Sequence, residues 1–188
     1  MKHYNRQSTR LRDFDYRGGE YHVVICCADR LPLLGEVVGG GMVCNELGRY
    51  VEVCLESIPQ HTPYASVPVF QVMPNHVHAI VCIENNSFSH PTTLFEEGIV
   101  LEPFEEDNLA RDITPQKGQL ATVIRSFKAA VSHWSRQHDI PFSWQRGYYD
   151  HLIRCRSELD KTIDYIIQNP TAWERDCYYL CIPSILRY

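Results

Sequence analysis

The sequence lacks any apolar run near the roughly 20 residues that a membrane-spanning helix requires. Its first 21 residues are polar and basic and contain no apolar signal core. Both absences favour a cytoplasmic protein over a membrane-bound or exported one. With 188 residues and a hydrophobic content of 44%, the chain has the size and composition of a single folded domain.

The chain also lacks a C-x-x-C pair, although it contains eight cysteines. Structural zinc sites usually contain such pairs, so their absence disfavours zinc. Cys177 and Cys181 leave a zinc site open as an alternative, but no further His or Cys ligand is evident nearby. Most of the cysteines lie within apolar, strand-like runs, and we expect them to be small buried residues in a reducing compartment.

A net positive charge is missing as well, since the formal net charge is −5. The deficit is local, because residues 96–112 contain seven acidic residues and one basic residue. The rest of the chain has 17 basic and 16 acidic residues. Local basic patches, not the total charge, govern binding to nucleic acid, so the composition does not exclude a DNA-binding protein.

Hydrophobic periodicity predicts a chain of mixed strands and helices. Strands are expected at residues 20–28, 66–73 and 76–84, the last two joined as a hairpin. Pro68 predicts an edge strand or a bend. Helices are expected at residues 43–58 and 117–138, with a last helix that begins at Ser157 in a near capping box and ends at Pro170.

The most informative stretch is VMPNHVHAIV, residues 72–81. Alternate residues of a strand share a face, so His76 and His78 point the same way and could bind one divalent ion. Ordinary buried histidines are the alternative, and the pattern alone leaves both open. A (β/α)₈ metal hydrolase needs a longer chain. A cupin-like site is disfavoured because Glu84 lies two residues beyond the usual spacing.

A second candidate lies in the last helix, in the stretch IDYIIQNP. Tyr165 and Asn169 are four residues apart and therefore neighbours on one helix face. They could form a plain hydrogen-bonding surface. If that face is turned toward the histidine pair, Asn169 could complete a metal site and Tyr165 could act as a nucleophile.

Four blocks in this order resemble one family. MPNHVHAIV is followed by the basic helix IRSFKAAVSHW, by WQRGYYDHLIR and by YIIQNP. Together they resemble the REP-associated tyrosine transposases, which belong to the HUH (His-hydrophobe-His) single-strand nuclease superfamily. The resemblance extends from about residue 21 to residue 173. It implies an α+β, ferredoxin-like fold, an antiparallel sheet with helices packed mainly on one face.

The resemblance also implies roles for particular residues. His76 and His78 match the HUH pair, Tyr165 matches the catalytic tyrosine, and Asn169 matches the polar residue that joins the metal. The metal would be Mg²⁺ or Mn²⁺. Candidates to hold the DNA backbone are Arg125, Lys128, Arg136, Arg146 and Arg154, with solvated surface charges as the plainer interpretation.

The implied activity is cleavage and rejoining of single-stranded DNA at hairpins through a 5′-phosphotyrosine intermediate. The alternative is a domesticated hairpin-binding protein of the same fold with little or no catalysis. We expect one domain over residues 1–188, with insertions near residues 32–42 and 85–116, in a cytoplasmic, nucleoid-associated protein that is a monomer or a homodimer. His151 would be structural or DNA-positioning. Aromatic residues that could stack on bases, but that suit a core better, are Trp134, Trp144, Tyr148 and Tyr149.

Overall fold

A computed structural model describes residues 19–84 and 119–179 of the chain. Their strands are β1 (Gly19–Cys26), β2 (Gly35–Val38), β3 (Gly41–Cys44), β4 (Ala65–Met73), β5 (His76–Ile83) and β6 (Tyr149–Ile153). Their helices are α1 (Glu46–Glu56), α2 (Ile58–His61), α3 (Gln119–Gln137) and α4 (Arg156–Gln168), with 3₁₀ turns at Ala28–Arg30 and Asn169–Arg175. Within these residues no helix is both long and apolar enough to span a membrane.

The main sheet has four antiparallel strands in the order β4-β5-β1-β6. Strand β4 lies at its edge, as Pro68 predicted, and its register shifts between Ser66 and Val69. A proline cannot donate a hydrogen bond to a neighbouring strand, so an edge position tolerates it. Strands β4 and β5 form the expected hairpin, in which Met73 pairs with His76.

One face of this sheet is apolar and carries most of the core. Val77, Ala79 and Val81 of β5 are at most 1% exposed there. They belong to one cluster with residues of α1 and α3, including Leu55 and Phe127. We call this side the apolar face. Alternation along the strand places the other residues of β5 on the opposite side.

The opposite side carries His76 and His78, and we call it the histidine face. A smaller apolar cluster beside them joins Ile80 to Leu159 and Ile166 of α4. Two of the long helices therefore cover the apolar face and α4 packs against the histidine face. The predicted α+β, ferredoxin-like fold with helices mainly on one side of an antiparallel sheet is confirmed.

Some local expectations were wrong. Helix α4 begins at Arg156 with Cys155 as its N-cap, and Ser157 is not the cap. No side chain caps the helix at Cys155, and the Glu158 carboxylate accepts the backbone N–H of Arg154, just before the N-cap, at 2.8 Å. The apolar side of this helix does not extend to Ile167, which is 61% exposed, while Ile166 is 0% exposed.

The region around residues 29–58 also differs from its prediction. Strands β2 and β3 form a small hairpin within what the sequence indicated as loop or insertion. Gly39 and Gly40 make its turn, with positive φ angles of 60° and 79° that favour glycine. Helix α1 consequently begins later than expected, and Asn45 caps it by accepting the N–H of Gly48.

The cysteine prediction holds only in part. The seven described cysteines are free thiols, of which Cys27 and Cys54 are buried while Cys155 and Cys177 are exposed. The exposed pair lies in the turns before and after the helical C-terminal region, where no sheet covers them. Cys181, the residues before 19 and the acidic stretch 96–112 lie outside the described residues.

Candidate active site

The two histidines of β5 lie side by side beneath the surface. His76 is 0% and His78 is 1% exposed. Their Nε2 atoms are 2.9 Å apart and their rings are perpendicular. Both imidazoles therefore direct one nitrogen toward the same small volume, as the strand spacing predicted.

Each histidine has a polar partner on its other ring nitrogen. Nδ1 of His76 lies 2.8 Å from Oδ1 of Asn75, and Nδ1 of His78 lies 3.1 Å from Nε2 of His22 on β1. Such outer contacts fix the orientation of a ligating imidazole ring. The histidine pair is thus held by the hairpin turn on one side and by the neighbouring strand on the other.

An acidic residue from the far end of the chain completes the cluster. Asp176 lies so that its carboxylate and the ring nitrogens of His76 and His78 are all within 4.8 Å of one another. The carboxylate also accepts the side-chain N–H of Asn169 at 3.1 Å and the backbone N–H of Tyr178 at 2.6 Å. Asp176 was not among the residues predicted from the sequence, because a single aspartate in a tyrosine-rich tail has no distinguishing spacing.

Tyr165 and Asn169 of the last helix lie beside this cluster. The Tyr165 ring centroid is 5.3 Å from that of His78 and 6.1 Å from that of His22. Tyr165 is 47% exposed, so an incoming substrate could contact it. Nδ2 of Asn169 lies 3.4 Å from Nε2 of His78. The face of α4 that carries both residues is therefore turned toward the histidines.

Burial sets the protonation of the imidazoles. It lowers the pKa of His76 to about 3, with the Arg30 charge as a second cause, and the pKa of His22 to about 4, with His151 second. Burial lowers the pKa of His78 as well, opposed by Asp176. All three rings are therefore neutral near pH 7, which is the form that binds metal ions.

The surroundings of Tyr165 disfavour the phenolate form that a nucleophile needs. Burial raises the pKa of its phenol, and the negative charge of Asp176 raises it further, while a hydrogen bond from Asn169 lowers it. The phenolate is the attacking form of a tyrosine. Cleavage by Tyr165 would therefore need additional positive charge close to Asp176.

The donor set fits a divalent cation. Neutral imidazoles suit first-row transition ions, and carboxylate and carbonyl oxygens suit Mg²⁺ and Mn²⁺. Oδ1 of Asn169 is buried and has no hydrogen-bond partner among the described residues. A buried carbonyl oxygen without a partner is costly. Nδ2 of Asn169 now faces His78 and Asp176, and a half-turn of the amide would direct Oδ1 at a cation there instead. The structure thus brings together the candidate ligands His76, His78 and Asn169 and adds Asp176.

The candidate DNA-binding residues are not gathered in one place. Arg125, Lys128 and Arg136 lie on α3, which packs on the apolar face. Arg146 follows Gln145, whose N–H bonds to Cys26 at the histidine end of β1. Arg154 lies at the other end of the sheet, after β6.

Lys128 has a structural contact of its own. Its ammonium group donates to the backbone carbonyls of Gln145 and Gly147 at 2.7 and 2.9 Å. Partial burial lowers its pKa. Lys128 therefore holds the loop that carries Arg146, and this contact occupies two of its three N–H donors.

The aromatic candidates divide between core and surface. Trp144 packs against Phe127 and Phe142, and Tyr148 packs against the same core. Trp134 stacks between Tyr50 and His138. Tyr149 is 46% exposed on β6. Nε2 of His151 lies 2.7 Å from the Glu158 carboxylate, a contact that ties β6 to α4.

A groove of about 1280 Å³ opens next to the histidines. It is lined by the β2–β3 hairpin on one side. On the other side it is lined by the 3₁₀ turn that contains Trp173 and by Tyr179, which follows that turn. The Trp173 ring is 5.9 Å from that of His76, so the groove borders the candidate metal site.

Comparisons with known proteins agree with this arrangement. The chain is 35% identical over 182 residues to an uncharacterized protein of Haemophilus influenzae, with 94% of each chain covered. It is 25% identical over 165 residues to a Haemophilus influenzae protein named "Putative REP-associated tyrosine transposase", covering 87% of this chain and 76% of that protein. No protein-family model matches the chain.

A solved structure of a REP-associated tyrosine transposase bound to a REP hairpin has a similar fold. Its TM-score is 0.53 at 16% identity, over 88% of this chain and 74% of that chain. At this identity the similarity concerns the fold. The antiparallel sheet, with His76 and His78 on the inner strand β5, matches the fold that the sequence resemblance implied.

Sequence and fold similarity cover nearly the same part of the chain. The resemblance to the REP-associated tyrosine transposases that the four sequence blocks predicted is confirmed by this similarity in sequence and in fold.

Proposed function

We propose that this protein is a metal-dependent tyrosine transposase that binds hairpins in single-stranded DNA and cleaves and rejoins strands through a 5′-phosphotyrosine intermediate. The observation that carries the proposal is the approach of Tyr165 to the buried pair His76 and His78 from a different element of the fold. Tyr165 and His78 are 87 residues apart in sequence and lie side by side in the fold. This juxtaposition of a nucleophile and metal ligands favours a catalytic protein over one that only binds hairpins.

The proposed cation site is formed by His76, His78, Asp176 and Asn169. The asparagine would use its amide oxygen, and a half-turn of the amide group exchanges that oxygen with the nitrogen that now faces His78. A bound Mg²⁺ or Mn²⁺ would polarise the scissile phosphate and offset the charge that develops on its oxygens. The same positive charge would oppose the effect of Asp176 on the pKa of Tyr165.

Tyr165 would supply the nucleophile. Its phenolic oxygen forms a bond to phosphorus, the bond from phosphorus to the 3′ oxygen breaks, and that oxygen takes up a proton to give a free 3′-OH. The downstream strand stays attached to Tyr165 through its 5′ phosphate. Because no water enters the step, a later 3′-OH can reverse it and rejoin strands without an energy source.

The proposed substrate is single-stranded DNA with a hairpin. The solved neighbour is bound to a REP hairpin, and shared fold and family support the same class of ligand here. Exposed Arg146 is a candidate phosphate contact, because the preceding residue, Gln145, bonds to Cys26 at the histidine end of β1. Arg125, Lys128, Arg136 and Arg154 lie away from the histidine face and would contact DNA only where it extends beyond that face.

The test is capture of the covalent intermediate. The protein is incubated with Mn²⁺ or Mg²⁺ and a pool of stem-loop oligonucleotides that carry a label at the 3′ end or at the 5′ end. We expect a denaturant-resistant adduct only with the 3′ label, because a 5′-phosphotyrosine retains the downstream strand. The 5′ label should leave on a shorter strand with a free 3′-OH.

Tyr165→Phe should abolish the adduct and preserve stem-loop binding. Tyr149→Phe is the matched control, because Tyr149 is exposed to the same degree, 46% against 47%. An adduct that persists in Tyr165→Phe would refute this nucleophile. Tight binding of a cleavable hairpin with no adduct in the wild-type protein would favour the domesticated hairpin-binding protein.

A further inference from the structure

The asparagine that precedes the histidine pair uses every polar atom of its side chain. Asn75 is 1% exposed, in the turn between β4 and β5. Its amide nitrogen donates to the carbonyl of Arg30 at 2.9 Å and to the carbonyl of Tyr178 at 2.8 Å. Its oxygen lies 2.8 Å from Nδ1 of His76.

These contacts fix the orientation of the amide group. Backbone carbonyls only accept hydrogen bonds, so the atom that faces both of them must be the NH₂ group. The oxygen of Asn75 therefore faces His76. Because that oxygen can only accept, Nδ1 of His76 carries the hydrogen, and the lone pair of the neutral ring lies on Nε2. In the metal-free protein this lone pair accepts the Nε2–H of His78 at 2.9 Å, a hydrogen that a bound cation would displace.

We propose that Asn75 is a positioning residue that fixes His76 in the Nδ1–H tautomer and thereby presents its Nε2 lone pair to the cation site. A histidine in the opposite tautomer has a hydrogen where the metal bond must form. The inference rests on the proposed function only in treating His76 as a metal ligand; the tautomer itself is a property of the metal-free protein.

Asn75 also connects His76 to the segment that supplies Asp176. The carbonyl of Tyr178 accepts from Asn75, and the N–H of Tyr178 donates to Asp176. The Tyr178 ring lies over His76, with centroids 4.6 Å apart. One side chain thus orients the first histidine and holds residues 176–178 against it, so two candidate ligands depend on Asn75 together.

The test compares Asn75→Ala, Asn75→Asp and the wild-type protein. Nitrogen-15 NMR of the histidine rings gives the His76 tautomer without any metal. Titration calorimetry with Mn²⁺ gives the cation affinity, and hydrogen exchange at the Tyr178 amide reports whether residues 176–178 stay docked. Asn45→Ala is the matched control, because Asn45 also bonds a carbonyl and a backbone N–H, at the start of α1.

We expect wild-type His76 to be protonated on Nδ1. Asn75→Ala should give a mixture of tautomers, faster exchange at Tyr178 and about a 10- to 100-fold loss of Mn²⁺ affinity. Asn75→Asp keeps an acceptor and loses both donors, so it should retain the tautomer and still show faster exchange at Tyr178. Asn45→Ala should change none of the three.

Two results would overturn the proposal. One is a wild-type His76 protonated on Nε2; the other is an Asn75→Ala protein with the wild-type tautomer and Mn²⁺ affinity. If Asn75→Ala does not fold, Asn75→Asp decides. Faster exchange at the Tyr178 amide with a retained His76 tautomer supports the proposal, and a wild-type exchange rate at Tyr178 in Asn75→Asp refutes it. A wild-type protein with the expected tautomer but no cation binding would refute the metal site of the proposed function and leave the tautomer assignment standing.

Discussion

The two faces of strand β5 are equally buried but differ in what burial costs. Val77 and Ala79 on the apolar face are 0% and 1% exposed, and so are His76 and His78 on the histidine face. An apolar side chain is stabilised by leaving water and needs no particular partner. A buried imidazole must find partners for two nitrogens.

The partners of the histidines come from separate parts of the chain. Asn75 lies in the hairpin turn, His22 on the neighbouring strand and Asp176 near the end of the described chain. The apolar face can therefore tolerate repacking, while the histidine face depends on contacts that cannot be exchanged. We infer that the apolar face supplies stability and that the histidine face is retained for its chemistry.

The largest expected effect is on the apolar face. Phe127→Ala removes a 3%-exposed side chain from the core. It should lower the free energy of unfolding by about 3–5 kcal/mol, measured by urea denaturation. In the protein that remains folded, the Mn²⁺ affinity should change by less than about twofold, since Phe127 lies across the sheet from the histidines.

His78→Ala is the reciprocal variant. It removes a candidate ligand. The Mn²⁺ affinity should therefore fall by more than about 100-fold, the upper value for losing a group that only orients a ligand. If Phe127→Ala abolished cation binding in folded protein, the division between the two faces would be wrong.

The second effect in size is acid sensitivity of the histidine face. His22 and His76 have folded-state pKa values of about 4 and about 3, below the usual 6.5, chiefly because of burial. Below pH 6.5 the unfolded chain takes up protons that the folded chain does not. Stability is therefore fully present above pH 6.5 and is lost as the pH falls toward 3–4.

The expected loss is about 2–3 kcal/mol between pH 6 and pH 5 from these two rings, at about 1.4 kcal/mol per pH unit for each. The neighbouring charges act in the same direction as burial: Arg30 lowers the pKa of His76, and His151 lowers the pKa of His22. Urea denaturation of the metal-free protein across this range measures the slope. His22→Gln should reduce the slope by about the share of one ring, and an unchanged slope would count against a neutral, buried His22.

The sequence predicted the parts of the molecule that rest on local periodicity. Spacing between residues close in sequence predicts the hairpin around Pro74, the helix of residues 119–137 and the common face of Tyr165 and Asn169. The start of α4 could not be read in this way, because the Glu158 carboxylate there contacts His151 of β6 and the backbone N–H of Arg154, which both lie outside the helix.

Asp176 shows the same limit at the site. Its approach to His78 depends on Asn75 holding the carbonyl of Tyr178, a contact between residues 103 positions apart. No pattern within the tail encodes that contact. Contacts that join distant segments through single side chains were therefore the part of the site that the sequence did not reveal.

The smallest expected effect tests which face of the sheet contacts DNA. Arg146 follows the residue that bonds to the histidine end of β1, whereas Arg136 lies on α3 on the apolar face. If the hairpin lies on the histidine face, Arg146→Gln should weaken stem-loop binding several-fold and lower the slope of log K against log salt by about 0.7–0.9, the share of one phosphate contact. Arg136→Gln, which also removes one exposed charge, should leave that slope within error. Equal losses in both variants, measured by fluorescence anisotropy at several salt concentrations, would mean that the DNA wraps around the edge of the sheet and contacts both faces.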